Sequence, residues 1–471
     1  MSDSQPSPSP SQFPPKPPEA WTPLVRLAAW TARPVDRFLQ IEAASGVVLL
    51  LAAAAALLWA NSSWAHGYHE LWQSTLAIEI GSFRFARNLE WFVNDALMVV
   101  FFFVVGMEIR REMHSGELSE WRRALLPAAA ALGGMIAPAG VYLLIGGAGA
   151  ARSGWGVPMA TDIAFAVGVL ALLGNRVPPA LRVLLLALAV IDDLGAIVVI
   201  AIFYSSGVHA MGFVVAGAGI AGVFALQKFG VRNKLVYIIP GFVAWAGTYA
   251  AGVHPTIAGV IIGLCTPVRA WLGTEGFAQE VAEPIQQLAD GRTSTHGVAE
   301  SLRKVTSAQR EVLSPVDSLV ATLHPWVAYG IMPLFALANA GVSLGGLDLN
   351  PISTAAAVGA GVGLVVGKPL GICLVCMLML KLGLATLPKG IGARHIIVLG
   401  VVAGIGFTMA LFVAQLAFAD AALLGAAKLG VLCGSGVAGV LSLGLGAFLL
   451  KPLAPGLGAQ TAHEAETSTE L

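Results

Sequence analysis

Long uninterrupted apolar runs decide what this chain can fold into. Gly46–Trp59 contains no charged or amide side chain, and runs of the same kind recur to the end of the sequence. About 20 such residues wound into a helix cross the roughly 30 Å hydrocarbon core of a bilayer. Membrane barrel strands instead alternate apolar and polar residues over about ten positions, so continuous runs exclude that architecture. The runs fall near 39–61, 90–109, 124–147, 157–174, 179–203, 210–227, 235–252, 254–268, 325–346, 354–380, 395–418 and 427–450. Hydrophobic residues make up 56% of the chain and charged residues only 11%, against roughly 25% charged in a soluble domain. Too little polar surface remains to cover a soluble core. The expected fold is an all-α polytopic membrane protein of about 12 transmembrane helices.

The segments between the runs set its orientation. With twelve spans, 22 of the 27 Lys and Arg residues face one side, which also receives both termini. Arg84, Arg87, Arg152 and Lys428 face the other, and Lys368 falls inside a span. Basic loops stay in the cytoplasm, so both termini are expected there. The first 37 residues read as a disordered tail, with eight prolines among residues 1–23. No basic stretch leads from it into an apolar segment, so it is not a secretory signal. Residues 453–471 read as a second polar tail, leaving 38–452 as the membrane domain. Residues 77–85 alternate about Gly81-Ser82, the pattern of an outer β-hairpin. The polar cytoplasmic loop 270–323 has helical spacing at Val298, Leu302, Val305, Gln309 and Val312, which fits either an interfacial helix or a solvated loop. The formal net charge is zero, so nothing implies a nucleic-acid partner. Cys373 and Cys376 have redox spacing but lie in an apolar run, where packing explains them.

Ionisable residues within spans carry the functional signal. A charge at the bilayer centre costs about 2.5–3.5 kcal/mol on the insertion scale, so it needs a purpose. Asp193 lies ten residues before the end of run 179–203, about 15 Å from it at 1.5 Å per residue and so near the midplane. Asp192 is its neighbour, pointing about 100° away, so each needs its own partner. Lys368, midway through 354–380, is the cation available to one of them. Asp162 and Thr161 follow the Gly- and Pro-containing stretch 153–161, which argues for an interrupted helix. A second interruption is expected at 400–409, where Gly404, Gly406 and Thr408 sit within an apolar run. Broken spans in the two halves of a chain point to a transporter site. Their free carbonyls attract cations and their free N–H groups attract anions, a field that Asp162 and Lys368 can compensate.

A single Asp–Lys pair could simply lock a helix bundle. Three carboxylates against one lysine leave two acids without countercharge, and these must take up protons or bind a cation. A hard cation such as sodium prefers oxygen ligands, which Asp193, Asp192, Thr161 and freed carbonyls provide. A buried carboxylate is costly when ionised, so a proton and a sodium ion compete for the same oxygens. If only an occupied site can cross between the two faces, binding one ion expels the other.

At these residues the sequence resembles the NhaA family of sodium/proton antiporters. The matching segments are ATDIAFAVGVLALLG (160–174), AVIDDLGAI (189–197), GKPLGI (367–372), GIGFTM (404–409), WFVNDALM (91–98) and LHPWVAY (323–329). The resemblance covers about 39–452. It implies twelve helices in inverted-topology repeats, with broken helices IV and XI crossing beside the site, in the inner membrane of a bacterium. By motif position Asp193 resembles the principal sodium- and proton-binding carboxylate, Asp192 the partner of Lys368, and Asp162 and Thr161 the residues at the crossing. The resemblance further implies an electrogenic antiporter of sodium and lithium, without a cofactor, serving sodium and pH homeostasis. It also implies a homodimer joined partly by the outer hairpin. Glu108, Arg111, Glu112 and His254 match the family's pH-responsive region at the cytoplasmic mouth. The sequence departs from the family where Val320 and Ala321 replace an acid and a histidine, and its preceding loop is longer.

Other readings explain less. Gly217, Gly219 and Gly222 spell a nucleotide-binding pattern, but no strand precedes them and close helix packing accounts for them. An intramembrane aspartyl protease would need two facing aspartates and has no use for Lys368. A non-coupled cation channel is favoured by rings of subunits rather than by broken helices within one chain. Sodium-dependent proton release separates exchange from both.

Overall fold

Backbone N–H and C=O groups in lipid must be satisfied within the chain, so apolar runs form helices, and each expected span contains one. The computed structural model describes residues 44–452, apart from 82, 147–148, 206, 208, 271, 290–294, 347–349 and 389. The tails expected at 1–37 and 453–471, together with Arg292 and Lys389, lie outside the described residues.

Helix α1 (Ala44–Ala60) turns through 113° into the short α2 (Ala65–Gln73). Strands β1 (Thr75–Ile80) and β2 (Phe83–Asn88) pair antiparallel, with Thr75 opposite Asn88 and Ile80 opposite Phe83. Helices α3 (Leu89–Ser115) and α4 (Trp121–Gly146) follow. A 3₁₀ segment, Gly149–Met159, meets α5 (Ile163–Leu172) at 51°. Next come α6 (Pro179–Phe203), α7 (Ala210–Lys228), α8 (Ile238–Ala250) and α9 (Thr256–Leu264). Region 270–323 contains α10 (Gly273–Ala289) and α11 (Thr295–Val312), two helices packed on each other. The chain finishes with α12 (Pro315–Asn339), α13 (Pro351–Lys381), α14 (Ala393–Ala403), α15 (Phe407–Ala417) and α16 (Ala421–Leu449), α14 and α15 meeting at 47°.

Among the described residues seven helices are long and apolar enough to cross a membrane, or ten if each of the three bent pairs is one span. Two expected spans, 235–252 and 254–268, contain helices of only 13 and 9 residues. Gly252, at φ 79°, and Pro255 break the chain between them. Helix α12 begins at Pro315, ten residues before the expected start at 325. Ser314 caps it, its side-chain oxygen accepting the Asp317 N–H at 3.1 Å, and Pro315 suits a first helical position.

The helices form two groups. One contains α4, the 3₁₀ segment with α5, α6, α13, α14, α15 and α16; the other contains α1, α3, α7, α8, α9 and α12. Small residues permit the closest approaches. At the α4–α13 contact, a Cβ on Gly371 would lie 2.1 Å from the Gly133 carbonyl oxygen. That proximity holds Lys368, three residues before Gly371, inside the first group with no exposed surface.

One basic residue is misplaced by the sequence reading. Lys428, counted on the outer side at the edge of run 427–450, is buried within α16, which begins at Ala421, six residues before that run.

Candidate functional site

The two interruptions meet. The Asp162 N–H donates to the Ile405 carbonyl at 2.7 Å, joining the break before α5 to the break between α14 and α15. Four helix ends converge there, and each needs a partner because the terminal N–H and C=O groups of a helix have none within it.

Asp162 serves both N-terminal ends. Its Oδ1 accepts the Phe165 N–H of α5 at 3.0 Å, and its Oδ2 accepts the Thr408 N–H of α15 at 3.1 Å. The Thr408 hydroxyl donates to the same Oδ2. One carboxylate thus faces the positive ends of two half-helix dipoles. The C-terminal ends receive donors. Lys368 Nζ donates to the Met159 carbonyl at the end of the 3₁₀ segment. The Thr161 hydroxyl lies 3.1 Å from the Ala403 carbonyl at the end of α14 and 2.8 Å from Asp192 Oδ2. The Phe407 N–H is taken by Ser435 Oγ of α16 at 2.9 Å, a cap the sequence reading missed.

Gly404 and Gly406 make the crossing possible. A Cβ on Gly404 would lie 2.5 Å from the Leu364 carbonyl oxygen. That oxygen belongs to the backbone and cannot swing aside. Gly404→Ala is therefore expected to cost about 1–3 kcal/mol and to lower the melting temperature of detergent-purified protein; an unchanged melt would contradict the close crossing.

Lys368 Nζ forms an ion pair with Asp192 Oδ2 at 2.7 Å, and neither side chain is exposed. The lysine follows a stretch of wider π-type turns, Gly363–Gly367. Such bulges re-aim the next residues and recur at functional sites. Asp193, one residue from Asp192, is as deeply buried, yet neither of its oxygens has a hydrogen-bond partner. Asp192 Oδ1 is likewise unpartnered. Three free carboxylate oxygens therefore lie beside the crossing, whereas both oxygens of Asp162 are engaged at helix ends. Of the three expected ion-binding acids, Asp162 is the least available.

The residues expected to respond to pH do not form one cluster. Glu108, Arg111 and Glu112 share the last turns of α3, and the Arg111 charge acts on both Glu108 and His324. His254 lies elsewhere. Its Nε2 is 3.3 Å from Asp95 Oδ1, near the start of α3 and the hairpin. Asp95 and Glu108 are 13 residues apart on that helix, about 20 Å at 1.5 Å per residue. The loop before α9 emerges at the hairpin end, which is why His254 cannot join the other three.

A bundle with two broken, crossing helices around buried, unpaired carboxylates defines a polytopic membrane protein of the secondary-transporter class. Residues 36–445 match the family model described as Na+/H+ antiporter 1. The chain is 64% identical to the Na(+)/H(+) antiporter NhaA 2 of Myxococcus xanthus over 458 residues, 97% of each chain. It is 56% identical to Na(+)/H(+) antiporter NhaA 2 of Sorangium cellulosum, over 96% of this chain and 98% of that one. Identity to the Na(+)/H(+) antiporter NhaA of Bordetella petrii is 51%, over 89% and 91% of the two chains. The chain belongs to the NhaA family of Na+/H+ antiporters and is a transporter, not an enzyme.

Proposed function

We propose that this protein is an electrogenic antiporter that extrudes sodium, and lithium with it, against an inflow of protons by alternating access. The observation that carries this reading is Asp193, buried with both carboxylate oxygens unpartnered. A bare buried carboxylate costs several kcal/mol, so a proton or a cation neutralises it. Asp192 Oδ1 and the Thr161 hydroxyl oxygen stand ready as further ligands for sodium, which is the cargo. The Asp192–Lys368 pair holds the second charge of the site. Asp162, Thr408 and the glycines keep the broken helices crossed, and Glu108, Arg111 and Glu112 tune the cytoplasmic mouth.

Counting α8 and α9 as short spans, and each bent pair as one, gives twelve helices in two inverted repeats. The Lys/Arg-rich end faces the cytoplasm with both termini, and the hairpin end faces outward, in a bacterial inner membrane. The hairpin joins two copies into a homodimer. Exchange contributes to sodium and pH homeostasis. A protease reading is disfavoured because Asp162 is committed to helix ends and shares no hydrogen bond with Asp193. The test is proton release from detergent-purified protein on adding sodium, at a pH where the site carries protons. Release that saturates with sodium is expected; a passive channel or a protease gives none.

A further inference from the structure

Among the described residues, one buried charge, Lys428, has no part in the ion site. Lys428 of α16 is buried, and its Nζ is 3.4 Å from Asn339 Oδ1 of α12. Asn339 is fixed by a reciprocal amide pair with Asn94 of α3, its Nδ2 donating to Asn94 Oδ1 at 2.7 Å and its Oδ1 accepting from Asn94 Nδ2 at 3.3 Å, and its Nδ2 also donates to the Phe335 carbonyl at 3.0 Å. Glu90, at the start of α3, is the acid whose field acts on Lys428, and it accepts a hydrogen bond from Gln415 Nε2 of α15 at 3.2 Å.

These contacts join the two helix groups. Lys428 and Gln415 belong to the group that holds the ion site, whereas Asn339, Asn94 and Glu90 belong to the other. They also stand over the site. Along α15, Thr408, Leu411, Phe412 and Gln415 follow helical spacing and share one face. Thr408 touches the crossing. One turn further, the buried Phe412 ring packs against Phe102 at 5.3 Å, tilted, and meets His254 at 5.4 Å and Phe335 at 6.1 Å edge to face. Gln415 lies one turn beyond that, toward the hairpin end. The order from the site outward is thus an aromatic layer and then a polar one, both built across the boundary between the groups.

We propose that Lys428 is the bolt of an outer gate: its contact with Asn339, beside the Gln415–Glu90 bond and above the Phe412 layer, closes the ion path on the hairpin side. Opening outward draws the two groups apart there and takes Lys428 off Asn339. The contact to the Asn339 amide oxygen, at 3.4 Å, is longer than an ordinary hydrogen bond, so it closes the seam yet gives way when the groups move. The gate rests on the alternating-access reading, since it closes the outer route to the site described there.

The test uses the full chain with Cys265, Cys373, Cys376 and Cys433 replaced by serine and a single cysteine introduced by Leu411→Cys, a fully buried position between the site and the gate. A membrane-impermeant maleimide is applied to the outer face in intact cells and to the cytoplasmic face in everted vesicles. Lys428→Met should raise outer labelling about tenfold, the worth of one charge-assisted hydrogen bond, without raising cytoplasmic labelling. Lys428→Arg should restore the slow outer rate. Asn339→Ala removes the acceptor while keeping the charge; it should act as Lys428→Met does and serves if that variant fails to accumulate. Unchanged outer labelling in both variants, or an equal rise on both faces, would overturn the gate. Sodium-driven exchange is measured on the same unsubstituted vesicles. Exchange with unmoved labelling refutes the gate alone, whereas no exchange at all refutes the antiporter reading on which it stands.

Discussion

Asp193→Asn is expected to reduce sodium-driven proton movement in everted vesicles to the level of vesicles without the protein, while the variant accumulates and melts normally. The carboxamide keeps the size of the side chain but carries neither a titrating proton nor a full charge. No hydrogen bond is lost, because neither Asp193 oxygen has a partner to lose. Loss of function without loss of stability is the signature of a group kept for chemistry. Exchange at a normal rate in this variant would remove Asp193 from the ion site. Asp192→Asn should be milder in transport, since that acid is held mainly by Lys368.

The largest stability effect is expected at Lys368. Lys368→Ala leaves Asp192 buried without its cation and the Met159 carbonyl without its donor. Breaking one partner of a buried pair costs about 3–5 kcal/mol, so the melting temperature should fall well below that of the parent. Asp192→Asn in the same chain removes the stranded charge and should recover part of the loss. Losses that merely add in the double variant would show that the two residues are not coupled.

These expectations trace to features that differ in how plainly the sequence displays them. Apolar runs and midspan charges are visible because lipid leaves no cheap alternative to a helix or a paired ion. Glycine likewise marks both breaks, joined by Pro158 at the one near Thr161 but alone at the one near Gly404. What a linear reading lacks is rotational phase. Asp192 and Asp193 are equivalent until the helix is placed, and only packing turns Asp192 toward Lys368 and leaves Asp193 bare. The wider turns at Gly363–Gly367, just before Lys368, leave no mark that composition would show. Lys428 is hidden for a different reason. A cation seven residues into a helix reads as lying at the membrane edge when the run is begun at 427 rather than 421, and its partner Asn339 is 89 residues away. His254 matches a motif shared with Glu108, Arg111 and Glu112, but the number of helix ends between them puts it beside Asp95 at the hairpin end. The Asp162 role lies between these cases. A dipole-compensating acid was expected, but that one carboxylate would cap two half-helices required the crossing itself.

The proposed exchange requires that protons and sodium compete for the same buried oxygens. Val320 and Ala321 cannot titrate, so this mouth offers fewer sensing groups than the family pattern, and under the proposed exchange the acid limb of the activity–pH curve belongs to the ion site. A proton on Asp193 weakens sodium binding as pH falls, and added sodium displaces it. The direct measurement is the rate of exchange against pH in everted vesicles, repeated from low to saturating sodium. Competition of one proton with one ion moves the acid limb to lower pH by about one unit per tenfold rise in sodium. An acid limb fixed at every sodium concentration would contradict competition at Asp193 and return control of pH to Glu108 and Glu112 at the mouth.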